Sequence, residues 1–391
     1  MAIKHLPKRQ KIRLLDFVDE ATRNASAWQV ALFAWALSTF LASPAFFGWS
    51  WEGIAVKSRA ADYLSLCKNP LARDLHEPIL AYRLTLPVLA WMLHLPPLVA
   101  LVLPYFAHVG FLAVCFTALR RRVDPLPAAL ATVIVALSFA LFWSNWKPGF
   151  TDTTSHLLAA SMLLTPAAGW AFFATFLGLF NDERMVLALP FILCWHFPPA
   201  AKIVWIRKTA RWSLGIGLAL GAYFMVRHAL GVGWIGPGIA IPATYKSMGT
   251  DVAAFRPHLG SWAVWALNVF LSFRWAWALV IAFAWLLQRR GAWTMLAVFG
   301  GFLVFGVLAS MSVADVSRSI GYMTPAWLLA TVWLAKENQP KLQSCLLWIT
   351  IALILTPVFY TVEHFQVQWF RPLPLVLWRC FTGRDLANFL R

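Results

Sequence analysis

"LVALVLPYFAHVGFLAVCFTAL" at residues 98–119, closed by Arg120-Arg121-Arg122, decides how this chain must be read. The run carries no charge and reaches the ~20 residues that about 30 Å of hydrocarbon demands. The three arginines stop it, and clusters of that kind prefer the cytoplasmic side of a membrane. Hydrophobic residues make up 60% of the chain and charged ones 13%, so lipid or other helices solvate most of it.

Working outward, eleven stretches look apolar enough to cross: Trp28–Phe47, Leu98–Leu119, Leu126–Trp143, Thr153–Leu164, Gly169–Phe180, Met185–Trp195, Leu214–Met225, Trp275–Leu287, Thr294–Ala309, Ile320–Ala335 and Leu346–Tyr360. Those between Thr153 and Trp195 are short, which predicts tilted or partly re-entrant helices around a cavity. Basic clusters punctuate alternate connections: Lys4 to Arg13, Arg120 to Arg122, Lys202 to Arg211, Arg289-Arg290, and Lys336 with Lys341. All fall on one side, predicting a cytoplasmic N-terminus and, with an odd number of spans, a tail from Glu363 to Arg391 outside. The expected fold is therefore all-α and polytopic, one transmembrane domain over residues 1–391. Residues 1–27 read as an amphipathic cytoplasmic segment or a basic tail, 49–97 as the first outer loop, and 363–391 as the outer tail.

The net charge of +17 is spread over loops that a membrane separates, so it forms no continuous stripe for nucleic acid. Five cysteines show no metal-ligand spacing, although Cys67 and Cys380 fall on the outer side and could pair. The first outer loop is dense in charge, with Glu52, Lys57, Arg59, Asp62, Lys68, Arg73, Asp74, His76, Glu77 and Arg83. Its end, "PILAYRLTLPVLAWMLHL" from Pro78, is too short to cross and too apolar to float, which predicts a helix in the outer interface. A second such piece starts near Leu259 and runs through "FLSFRWAW" from Phe270, with Trp262, Trp265 and Trp275 at headgroup level.

The order of these parts resembles the GT-C superfamily of membrane glycosyltransferases: a first span, a long charged outer loop, an interfacial helix opening on "YRLTLP" at Tyr82, then many spans with basic inner loops. "GFTDTTSHLLAASMLL" from Gly149, "NDERMVLALPFIL" from Asn181 and "ADVSRSIGYMTPAWLL" from Ala314 look like outer-facing turns of such proteins. The resemblance implies a sugar taken from a polyprenyl-phosphate carrier, with an outer-loop carboxylate as base, and by position that is Asp62. The loop holds no Asp-Asp or Asp-Glu pair, so a divalent metal is left open and no metal ligand is assigned.

Displacement at an anomeric carbon needs a carboxylate for the acceptor proton and cations for the departing phosphate. Asp62 lies near membrane level, where lipid would raise its pKa; the plainer reading is a loop acid paired with Arg59. Asp152 and His156 share a helical face, with Asp152 also suited to cap the helix. Asp182-Glu183-Arg184 form an outer turn in which Glu183 and Arg184 either pair or meet substrate. Asp315 and Arg318 can pair within one helix, or Arg318 can hold phosphate through its planar fork. Arg83 is either a phosphate clamp or a snorkelling anchor. Lys147, Arg274, Arg371, Arg379 and Arg384 are further outer cations, and of the 23 tryptophans only a few, such as Trp143 and Trp146, are placed to stack on a sugar.

The expected activity is glycosyl transfer from a polyprenyl-phosphate donor to a lipid-linked or envelope glycan acceptor, on the outer face of a bacterial cytoplasmic membrane. A transporter of an anionic lipid-linked molecule, or a non-catalytic subunit of an envelope-polysaccharide assembly, are the alternatives.

Overall fold

The computed structural model describes residues 19–42, 59–138, 141–142, 149–199, 203–239, 262–310, 316–362 and 366–382. Most of the N-terminal segment, Glu52, Lys57, Trp143, Trp146, Lys147, Asp315, Glu363 and the end of the tail lie outside them, as does the side chain of Cys380.

The described elements are helical apart from one short hairpin. Helix α1 covers Ala27–Leu41, started by a Ser26–Gln29 capping box. The first loop holds α2 (Arg59–Lys68), a 3-10 turn (Pro78–Tyr82) and α3 (Thr85–Met92). Then come α4 (Pro97–Arg120), α5 (Pro125–Ala136), α6 (Asp152–Ser161), α7 (Ala168–Leu179), a 3-10 turn (Glu183–Ala188), α8 (Leu189–His196) and α9 (Ile203–Val232). The last part has α10 (Trp262–Phe273), α11 (Trp277–Arg289), α12 (Trp293–Ser310), α13 (Val316–Gly321) and α14 (Thr324–Leu355). Strands β1 (Phe359–Val362) and β2 (Gln366–Trp369) pair antiparallel before α15 (Leu373–Phe381).

Among the described residues, four helices are long and apolar enough to cross a membrane: Pro97–Arg120, Thr209–Val232, Trp265–Arg289 and Trp293–Ser310. Ala27–Leu41, Pro125–Ala136 and Ala168–Leu179 are shorter and equally apolar in character. Phe33, Phe106, Met225, Trp285 and Phe305 stand exposed on these helices, an exterior suited to lipid rather than water. Such helices point to a membrane protein.

Two parts differ from expectation. The piece from Leu259 and the span from Trp275 are not an interfacial helix followed by a separate crossing. Helices α10 and α11 join through one 3-10 turn at Arg274, whose φ of 51° breaks the helix for a residue. Arg274 is not an outer loop cation either: it is buried, and its Nη2 donates to the carbonyls of Leu353 (3.1 Å) and Thr356 at the end of α14. It thus satisfies carbonyls that a helix end leaves open.

Helix α14 contains a bend at Asn338 (φ −159°, ψ 93°), where the Asn338 side chain accepts from the amide of Lys341 (3.0 Å). Glu337 pairs with Arg290 at one end of α11, while Leu353 meets Arg274 at the other, so the second half of α14 runs back alongside α11.

The basic turns gather at one end of the bundle. Arg120 reaches the carbonyls of Thr22 and Arg23, Arg121 that of Leu164 (2.9 Å) and Arg122 that of Trp195 (3.1 Å). A cavity of about 660 Å³ sits there, with Asp19, Arg23, Arg120, Asp124 and Gln343 in its lining. The other end, where α4 and α6 begin, holds the buried charges.

Candidate functional site: a buried arginine–aspartate cluster

Gly149 opens the site. Its φ of 84° suits glycine, and a Cβ there would lie 2.9 Å from the backbone of Arg59 and Ala60, so the turn sits directly on the start of α2. Phe150 follows, then Asp152 as the first residue of α6. Thr153 Oγ1 donates to the Pro104 carbonyl (3.0 Å) and Ser155 Oγ to that of Gly178 (2.8 Å), which fixes α6 against α4 and α7. Asn181 Nδ2 donates to the Thr151 carbonyl (2.6 Å) and to Ser155 Oγ (3.0 Å). The Leu84 amide donates to the Phe180 carbonyl (2.6 Å), bringing the first loop to the same place.

These staples assemble Arg83, Asp152, Asp182, Arg184 and Arg318. Arg318 forks onto Asp152 through Nε and Nη2, the latter at 2.6 Å from Oδ1. Arg184 forks onto Asp182 through Nε (2.8 Å to Oδ1) and Nη2 (2.5 Å to Oδ2). Arg83 bridges the two carboxylates, Nη1 at 3.1 Å from Asp152 and Nη2 at 3.5 Å from Asp182. Paired forks of this kind are the strongest and most directional of ion contacts. Both carboxylates are buried, with side chains 1% exposed.

Among the described residues three guanidiniums meet two carboxylates in this buried place. Burial alone would raise the Asp182 carboxyl, but Arg184, Arg83 and Arg318 reverse this and hold it well below the usual carboxylate range. Neither aspartate is then suited to take a proton near neutral pH. Arg59 feels the same field: burial first, then Arg83 and Arg318, push its guanidinium down to about 10. Arg59 pairs with Glu77 (2.5 Å) and lies 4.1 Å over the Phe150 ring, which also carries Arg318 at 4.9 Å. His156 stacks on Tyr322 with ring centroids 4.1 Å apart.

Of the residues singled out from the sequence, Arg83, Asp152, His156, Arg184 and Arg318 come together here. Several pairings differ. Asp152 does not cap α6, since the cap position is Thr151 and the carboxylate turns to arginines. Glu183 pairs with Arg227 (2.6 Å) rather than Arg184, and stands at the rim. Arg318 is drawn to Asp152 on another helix, and Asp315 lies outside the described residues. Arg83 is no snorkelling anchor, because its head is held inside the protein.

Asp62 differs most. It is buried, and its oxygens accept the backbone amides of His76 (2.9 Å) and Glu77 (2.8 Å), with Arg59 given to Glu77 instead. That geometry makes it the organiser of the loop ahead of Arg83. Sequence reasoning treated Asp182 as a turn and passed over Glu77 and Tyr322; density of charge in the first loop was the signal available for Glu77. Cys67 is a free, buried thiol. Among the described residues no three His, Cys, Asp or Glu side chains converge as metal ligands, and arginines cover the two buried carboxylates.

No protein-family model, no characterised protein and no solved structure matches the chain.

Proposed function

We propose that this chain is a polytopic glycosyltransferase of the GT-C kind. In this reading about eleven helices cross a bacterial cytoplasmic membrane, with the Arg120 end in the cytoplasm and the Asp152 end outside. It takes a sugar from a polyprenyl-phosphate donor and passes it to a lipid-linked or envelope glycan acceptor. The observation that carries the proposal is the convergence of the Arg83, Arg184 and Arg318 guanidiniums on one buried spot, because a departing phosphate gains negative charge as the glycosyl bond breaks. The aspartates fix the guanidiniums in advance, so little reorganisation is needed when that charge appears. Glu77 is the carboxylate suited to accept the acceptor's proton: its side chain is 28% exposed and Arg59 holds it beside the cluster.

The experiment uses the full chain in lipid nanodiscs with polyprenyl-phosphate monosaccharides, reading release of polyprenyl phosphate. The expected result is release by the unaltered protein and a fall of about 10²-fold in Arg318→Lys, which keeps charge but loses the fork. No release with any donor overturns the reading.

A transporter of an anionic lipid-linked molecule is the second reading, favoured by His108 and His156, buried within α4 and α6 where a purely structural helix has little use for them. It expects movement of the intact molecule across sealed vesicles without bond cleavage.

A further inference from the structure

Beside the charged cluster lies a set of neutral polar atoms with no hydrogen-bond partner: Nε2 of His156 and of His108, the Tyr322 hydroxyl, Thr154 Oγ1 and Asn181 Oδ1, together with Nε of Arg83. The first five belong to residues no more than 6% exposed. His108, His156 and Tyr322 are neighbours. His156 stacks on Tyr322 and tilts against Phe111 at 5.5 Å, and the Arg184 guanidinium lies 5.8 Å over the Tyr322 ring. Thr154 and His156 lie in the opening turns of α6 after Asp152, Asn181 is bonded to Ser155, and His108 is one turn along α4 from the carbonyl that holds Thr153.

Leaving one such atom dry costs about what a hydrogen bond is worth, and six together would rival the stability of a whole domain. Something must therefore meet them. The Thr154 and Tyr322 hydroxyls can donate and accept, each neutral imidazole offers one role at Nε2, Asn181 Oδ1 accepts and Arg83 Nε donates. Apart from the Arg83 guanidinium, that mixture carries no charge and suits groups that also do both, which are hydroxyls.

We infer that this ring of atoms binds the sugar of the donor through its hydroxyls, while the guanidiniums beside it hold the phosphate. The inference rests on the transferase reading above and adds to it the residues that recognise the sugar. Arg83, with Nη1 and Nη2 on the aspartates and a buried Nε without a partner, links the two halves of the site.

Binding of two probes to the full chain separates the claims: a bare polyprenyl monophosphate, and the same lipid carrying a monosaccharide, tried over several sugars. The unaltered protein should bind at least one sugar-bearing lipid more tightly than the bare one. Tyr322→Phe and Thr154→Val keep shape and remove only a hydroxyl, so each should weaken the sugar-bearing lipid by about two- to tenfold and leave the bare lipid's affinity as it was. If every sugar-bearing lipid binds no better than the bare one, the ring holds buried water and the inference fails while the phosphate reading stands. It fails equally if both variants keep the full preference for sugar. Failure of both probes to bind removes the transferase reading and this inference with it.

Discussion

Truncating Asp182 removes the carboxylate that the fork of Arg184 grips and that Arg83 shares. Breaking a buried pair from one side costs about 3–5 kcal/mol, so Asp182→Ala should melt far below the unaltered protein in a detergent thermal scan. The depressed Asp182 pKa also fixes the pH response. Stability from a carboxylate held below its unfolded value is complete above that value, about 3.9, and is lost as pH falls through the folded one. The cluster should therefore contribute a flat unfolding midpoint from pH 8 down to about 4 and a decline only in stronger acid; a midpoint that already falls between pH 7 and 5 through this cluster contradicts the assignment. Asp62 and Glu77 part company in turnover. Glu77→Gln should lower transfer by about 10²-fold or more in protein that still folds, whereas Asp62→Ala should cost about 1–3 kcal/mol by freeing the amides of His76 and Glu77. Equal transfer by Glu77→Gln and the unaltered protein removes Glu77 as base. None of these roles was legible locally. Arg318 lies 166 residues from Asp152 and Arg83 lies 69, and a contact between distant elements leaves no spacing to read.

At the scale of elements, α14 shows what spacing does convey. Its two apolar stretches, separated by Lys336 and Lys341, predict two helices with a polar turn, and the chain puts that turn on a single non-helical residue, Asn338. Asn338 caps the second half through the Lys341 amide, with Pro340 in the first turn where a missing amide is harmless. Asn338→Ala should cost about 1 kcal/mol and Asn338→Asp much less, read by thermal unfolding; equal loss in both would mean the cap is not what the residue supplies. Arg274 was illegible for the opposite reason. A cation between aromatic residues reads as a headgroup anchor, and only the packing of α14 against α11 supplies the carbonyls that let it be buried.

For the whole molecule, the two ends make a prediction that needs no chemistry. In a background without native cysteines, Lys68→Cys and Trp234→Cys should react with an impermeant thiol reagent in intact cells, while Arg121→Cys and Arg290→Cys should not. Labelling of Arg121→Cys from outside would reverse the proposed orientation. The sequence by itself determined that the chain is helical and apolar and where several of its long apolar helices lie, because length and hydropathy act along a short stretch of chain. It also brought out most members of the cluster as charges in places too costly for ornament. Only the tertiary structure decided their partners: that Asp152 and Asp182 are counterions, that Asp62 binds loop amides, and that neutral polar atoms lie dry beside the guanidiniums. The pairing of a buried charge depends on which groups packing brings within a few ångströms, and that is a property of the assembled helices rather than of any one of them.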